Sequence, residues 1–191
     1  MPAAPSLRCF IALEIPADIR TYLGRLIDRL RASGADVKWV EPDGIHLTLK
    51  FLGPVDPGRI AALASRLDGI TATDRPVTAT LGPLGAFPDL RRPQVIWCGL
   101  AITDDAADIL WHEVEQGMAA EGFAPERRGF TPHLTLGRVR TMHRIAACIG
   151  LVEHTAIVPQ PFVSDRLSLV RSDLTPLGPV YHTVHTIQLG R

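Results

Sequence analysis

Residues 8–15, Arg8-Cys9-Phe10-Ile11-Ala12-Leu13-Glu14-Ile15, form a short and mostly apolar run closed by Pro16. That pattern predicts a buried strand, stopped by a residue that cannot donate to a ladder. The period then changes. Ile19, Tyr22, Leu23, Leu26, Ile27 and Leu30 recur at helical spacing over residues 18–31, and Ser33-Gly34 ends the stripe. Residues 45–52 alternate as a strand. Asp56-Pro57 then reads as an N-cap followed by proline at the first helical position, and Ile60, Leu63, Ala64 and Leu67 supply the buried stripe of a second helix. Residues 76–84 read as a strand. Gly82-Pro83, Gly85 and Phe87-Pro88-Asp89 mark a turn-rich connection.

The same order then recurs: a strand over 94–102, a helix over 104–120, a strand over 133–139, a short helix near 143–152 and a strand near 162–170. A final strand over 182–189 is left to pair with one of the two sheets. The repetition implies an internal duplication whose halves meet near residues 85–93. The expected fold is α+β: one bilobal domain spanning residues 1–191, two pseudo-symmetric lobes of antiparallel sheet, helices on the outer faces and a groove between the lobes.

Composition narrows the function classes. Apolar residues make up 46% of the 191, charged residues 21%, and the formal net charge is zero. Disorder is excluded on those grounds, and the whole-molecule field gives no reason to expect a sequence-independent grip on long nucleic acid. A small or terminal phosphate ligand remains compatible. Cys9, Cys98 and Cys148 are scattered and odd in number, which fits reduced thiols and a cytoplasmic location. The start, Met1-Pro2-Ala3-Ala4-Pro5-Ser6, lacks the pattern of a secretory leader, and no apolar run reaches membrane-spanning length, so a soluble protein is expected.

The chemistry concentrates in two matching tetrads, His46-Leu47-Thr48-Leu49 and His133-Leu134-Thr135-Leu136, 87 residues apart at equivalent places in the two halves. On a strand, residues i and i+2 share a face, so each histidine projects beside its threonine while Leu47, Leu49 and Phe51 point the other way, into the helices. Histidine titrates near neutrality. Two of them about one phosphate can act as general base and general acid, with a hydroxyl beside each donating to phosphate oxygens. A single His-x-Thr on a strand is more often an ordinary sheet face. Packing retains leucines but has no use for an identical histidine and threonine, and the duplication therefore favours catalysis.

With Arg8-Cys9-Phe10-Ile11-Ala12-Leu13, Lys38-Trp39-Val40, Lys50-Phe51-Leu52-Gly53, Gly85-Ala86-Phe87-Pro88, Trp97 and Phe130-Thr131-Pro132 leading to Gly137-Arg138, the chain resembles the two-histidine phosphoesterases. Within them it is similar to the bacterial and archaeal RNA 2′,3′-cyclic phosphodiesterases, historically called 2′-5′ RNA ligases. The resemblance spans nearly the whole chain and departs at none of the four motif positions. It implies hydrolysis of a ribose 2′,3′-cyclic phosphate to a 2′-phosphate, with RNA 3′ ends or small cyclic nucleotides as substrate. It further implies His46 as proton donor, His133 as proton acceptor and Arg138 as a phosphate-binding residue. The symmetry of the tetrads by itself leaves the acid and base labels open.

Arg138 lies at an odd offset from His133, so an unbroken strand would aim it away from the site unless Gly137 permits a bulge. Lys50 has an even offset from His46 and is a weaker candidate for added positive charge. No cofactor is expected. A metal is disfavoured because neither tetrad has a matching pair of carboxylates, and His182 and His185, three apart, fall on opposite faces of a strand. His112, His143 and His154 have no matched partners. Trp39, Trp97, Trp111, Phe51, Phe87 and Phe130 offer stacking surfaces for a nucleobase, although core filling is the more frequent use. Arg91-Arg92 and Arg127-Arg128 are paired charges in loops. A monomer is expected. The competing readings are a noncatalytic RNA-end or nucleotide-binding protein and the same chemistry on 2′-5′ linked oligonucleotides.

Overall fold

A computed structural model describes residues 6–70, 75–127, 129–175 and 178–190. The start of the chain (residues 1–5) and Arg128, both considered above, lie outside that set. The apolar run becomes β1 (Leu7–Glu14), and Pro16 caps α1 (Ala17–Arg31), which buries Ile19, Leu23, Leu26, Ile27 and Leu30. Asp18 stands in its first turn and Arg29 and Arg31 in its last, the charge order that complements the helix dipole. Gly34, at φ +70°, turns the chain out of the helix. A short strand, β2 (Val37–Trp39), and a single helical turn, Pro42–Gly44, precede β3 (His46–Val55). Asp56 caps as expected, accepting from the Gly58 amide at 2.8 Å, but the turn it opens is a 3-10 turn, Pro57–Arg59, that leads into α2 (Ile60–Asp68).

β4 runs over Val77–Phe87, longer than the turn signals predicted. Gly82 and Pro83 do not end it; they form an irregularity in its pairing with β5 (Val95–Ile102), where the register slips between Leu81 and Leu84. Gly85 is held in the strand by Trp97, whose ring lies 2.3 Å from where a Cβ on residue 85 would stand. α3 (Ala106–Ala120), β6 (His133–Val139) and α4 (Ile145–His154) follow. The single strand expected near 162–170 is two, β7 (Pro161–Ser164) and β8 (Arg166–Thr175), divided at Asp165, and β9 (Gly178–Gln188) closes the chain.

The strands form one antiparallel sheet in the order β7-β4-β5-β6-β3-β1-β8-β9, with β2 added to β6. Reading outward from the centre, β6-β5-β4-β7 mirrors β3-β1-β8-β9, the pseudo-two-fold arrangement expected of an α+β duplication. Each sequence half sends a later strand to the opposite side: β4 pairs with β5, and β8 pairs with β1. The central strands β3 and β6 are joined by the pair Leu47 and Leu134. Both leucines, with Leu49 and Leu136, lie in the main hydrophobic cluster among α1, α2, α3 and α4 residues. Burying a leucine contributes roughly 1.5–3 kcal/mol, so the alternate residues of the tetrads fix the helices to one face and leave the histidines on the other. Among the described residues, no helix is long and apolar enough to cross a membrane.

Candidate active site

His46 and His133 are each the first residue of a central strand, and each is held the same way. A carbonyl two residues upstream receives the imidazole Nδ1: Gly44 O at 2.8 Å from His46, Thr131 O at 2.7 Å from His133. A ring nitrogen facing a carbonyl oxygen must carry the proton, so both rings are fixed with Nδ1–H donating, and among the described residues Nε2 has no hydrogen-bond partner. In the first case the 3-10 turn Pro42–Gly44 delivers the carbonyl; in the second it comes from the Thr131-Pro132 approach to β6.

Three residues beyond each histidine the strand bulges. On β3, Ala12 faces Thr48 and Ile11 faces Lys50, leaving Leu49 without an opposite; on β6, Trp97 faces Thr135 and Ile96 faces Gly137, leaving Leu136 without one. An extra residue reverses the alternation beyond it. Lys50 therefore turns away from the histidines into the core, where its Nζ lies 2.8 Å from both oxygens of buried Glu115 and 2.9 Å from Ala124 O. It is no part of the site, because the even-offset argument assumed an unbroken pleat. Phe51 moves the opposite way: expected among the helices, it is 66% exposed, with its ring 6.1 Å from that of Phe10. Arg138 is the residue equivalent to Phe51, and the bulge at Leu136, one position before Gly137, turns it inward.

That inward turn is visible electrostatically. The Arg138 guanidinium lowers the pKa of both His46 and His133 and also acts on Tyr181. Burial is the larger cause for both histidines: it pushes His46 down to about 4 and His133 down as well, against the carbonyl bonds, which pull both upward. His133 in turn depresses His46, so the two rings, the guanidinium and the tyrosine share one electrostatic environment. Thr48 and Thr135, two residues after their histidines and before the bulges, keep the histidines' face.

The aromatic surroundings differ between the two sides. Phe10 stacks on His46 at 4.5 Å and 22°, and Tyr181 meets the same ring edge-on at 5.3 Å. His133 receives only edge contacts, from Phe87 at 4.9 Å and Trp97 at 6.4 Å. The sequence gives no local signal for Tyr181. Its place depends on the β8–β9 hairpin docking against Gly44, where a Cβ would stand 3.1 Å from the tyrosine ring.

The geometry is matched by kinship. The family model described as LigT like Phosphoesterase aligns with residues 13–97 and 104–181. The chain belongs to this LigT-like phosphoesterase family. A protein of Methanothermobacter thermautotrophicus named RNA 2′,3′-cyclic phosphodiesterase is 32% identical over 186 residues, covering 96% of this chain and 99% of its own. One of the same name from Thermotoga maritima is 30% identical, covering 95% of each. Among solved structures, E. coli LigT complexed with 3′-AMP superimposes with a TM-score of 0.73 at 25% identity, over 98% of this chain and 100% of that one. The LigT-like family thus extends across both tetrads and the strands that present them.

Other sequence candidates fall elsewhere. His185 bonds Asp68 at 2.7 Å and His182 approaches Asp173 at 3.2 Å, each with its own carboxylate. His154 bonds Gly150 O, and His112 packs on Trp111, which stacks with Phe130. Trp39 fills the space over Gly137. Arg91 and Arg92 occupy the β4–β5 turn, where both amides donate to Asp89, and Arg127 is an exposed loop residue. Among the described residues, no three His, Cys, Asp or Glu side chains gather as a metal site.

Proposed function

We propose that the protein hydrolyses the 2′,3′-cyclic phosphate at an RNA or nucleotide end to a 2′-phosphate, by paired-histidine acid-base catalysis without a metal. The observation that carries this reading is the pair of Nδ1-anchored histidines, each with no hydrogen-bond partner at Nε2 among the described residues, on symmetry-related strands under one guanidinium. His133 Nε2 accepts a proton from water as the oxygen attacks phosphorus. The P–O3′ bond breaks, and His46 Nε2 donates a proton to the departing 3′ oxygen. Thr48 and Thr135 donate to the non-bridging oxygens, and Arg138 neutralises charge that builds on them. Burial lowers the affinity of both histidines for protons in the free protein, and a bound phosphate anion raises it. That gain is what arms His46 as the acid.

The acid and base labels follow those of the resembling phosphodiesterases. One chain supplies both half-sites, which fits action as a monomer. Cys9, Cys98 and Cys148 are all buried free thiols, as suits a reducing cytoplasm. The test is an assay in EDTA on an oligoribonucleotide ending in a 2′,3′-cyclic phosphate, with the product identified. A 2′-phosphate at an undiminished rate is expected. A 3′-phosphate product, or activity that returns only with added divalent metal, would overturn the mechanism.

A further inference from the structure

Lys38 has no part in the mechanism above, yet it stands directly opposite Arg138 in the β2–β6 register. Opposed residues of an antiparallel pair project from the same face, with Cβ atoms roughly 5 Å apart. The neighbours of Lys38 fix which face that is. Val37 and Trp39 come within 2.6 and 2.8 Å of where a Cβ on Gly137 would stand, and both pack on the main hydrophobic cluster. Alternation therefore sends Lys38 to the side of Arg138 and the histidines. Its Cε lies 3.3 Å from the Cβ position of Gly178, so the side chain reaches from the β6 side of the groove to the β8–β9 hairpin of the other. Among the described residues no carboxylate pairs with it. Arg91 and Arg92 occupy the turn leading to Val95, which pairs with Arg138 from its other side.

Resting on the phosphodiesterase reading, we infer that Lys38 binds the phosphate one nucleotide inward from the reacting end, and so raises activity on an oligonucleotide over that on the mononucleotide bearing the same cyclic end. Arg138, a planar fork, suits the reacting phosphate between the two histidines. Lys38, a flexible point charge on the strand before the Pro42–Gly44 turn, suits the next backbone phosphate, whose position varies with the ribose. The neutral net charge agrees: a grip on one inner phosphate needs one well-placed cation, not a basic surface.

The test compares a 2′,3′-cyclic mononucleotide with a short oligoribonucleotide bearing the same cyclic end, in wild type, Lys38→Met and Lys38→Arg. The ratio of kcat/KM on oligonucleotide to that on mononucleotide is expected to fall about fivefold in Lys38→Met, whatever the base sequence, and to recover in Lys38→Arg. The salt slope on the oligonucleotide should become shallower by about 0.7, the value for one single-strand phosphate contact. An unchanged ratio in an active Lys38→Met enzyme would overturn the assignment of Lys38 alone. Wild-type inactivity toward both substrates would overturn the phosphodiesterase reading and this inference with it.

Discussion

The half-site around His46 and the half-site around His133 are the same backbone device carrying different side chains. Each has a carbonyl at i−2 fixing the imidazole, a threonine at i+2 and a bulge at i+3. They part where the bulge delivers its neighbours. At i+4 one side has Lys50, buried on Glu115, and the other Gly137, roofed by Trp39; at i+5 one side has exposed Phe51 and the other Arg138. The shared features set geometry and tautomer, which any acid or base requires. The differences set charge and burial, and they can assign different work to two identical rings.

The largest effect expected from breaking this comparison is on catalysis. His46→Ala and His133→Ala should each lower kcat by at least about 10²–10⁴-fold, the usual worth of one acid-base group. The losses should be far from additive in the double variant, because both act in one step. Near-wild-type turnover in either single variant would mean that the device is duplicated in structure but not in chemistry.

Next in size is the stability of the His46 side. Lys50→Met leaves the Glu115 carboxylate buried without its partner, and breaking a buried pair in this way costs about 3–5 kcal/mol. Denaturant unfolding should read that loss. The double variant Lys50→Met with Glu115→Leu should regain much of it, since a buried pair exchanged for apolar groups is often nearly neutral. A small single-variant effect would show that water reaches Glu115 despite its burial.

Arg138 comes third. Losing a charge-assisted contact to phosphate is worth about 1.5–3 kcal/mol, so Arg138→Met should cost about 10- to 100-fold in kcat/KM, with Arg138→Lys recovering only part. The sign of its pH effect follows from charge. A nearby cation disfavours protonated imidazole, so removing it raises the pKa of both histidines, and the limb of the kcat/KM profile set by His46, below pH 6.5 in the wild type, should move upward. A limb that stays in place would mean that Arg138 points away from the rings.

How far all this could be read from sequence follows the locality of each cause. Periodicity located the elements because burial acts residue by residue along one helix or strand, as in α1 and β3. The twin tetrads located the histidines and threonines because parity holds over two residues. It failed at Lys50 and Phe51, where a bulge set by pairing with β1 reverses parity, and no feature of residues 46–51 announces that pairing. The same failure made Arg138 look misdirected. Gly82-Pro83 read as a turn because those residues usually end strands, whereas β5 pairs with β4 on both sides of them, at Leu81 and at Leu84, and carries the strand through. Tyr181 was illegible because its contact with His46 joins residues that only the sheet order brings together.

The smallest expected effect tests whether those aromatic differences matter. Tyr181 covers the edge of His46 and makes no ring contact with His133 among the described residues. Tyr181→Ala opens His46 to water, and since burial is the main cause of its depressed pKa, that pKa should rise from about 4 toward its ordinary 6.5. His133, whose ring meets Phe87 and Trp97 instead, should hold its position. Tyr181→Phe, which keeps the ring and loses only the hydroxyl, should leave both titrations in place. Imidazole Cε1–H titrations by NMR, with the two histidines assigned by substitution, would separate these outcomes. Equal upward movement of both rings in Tyr181→Ala would show that the groove loosens as a unit and that the two half-sites are not independently tuned.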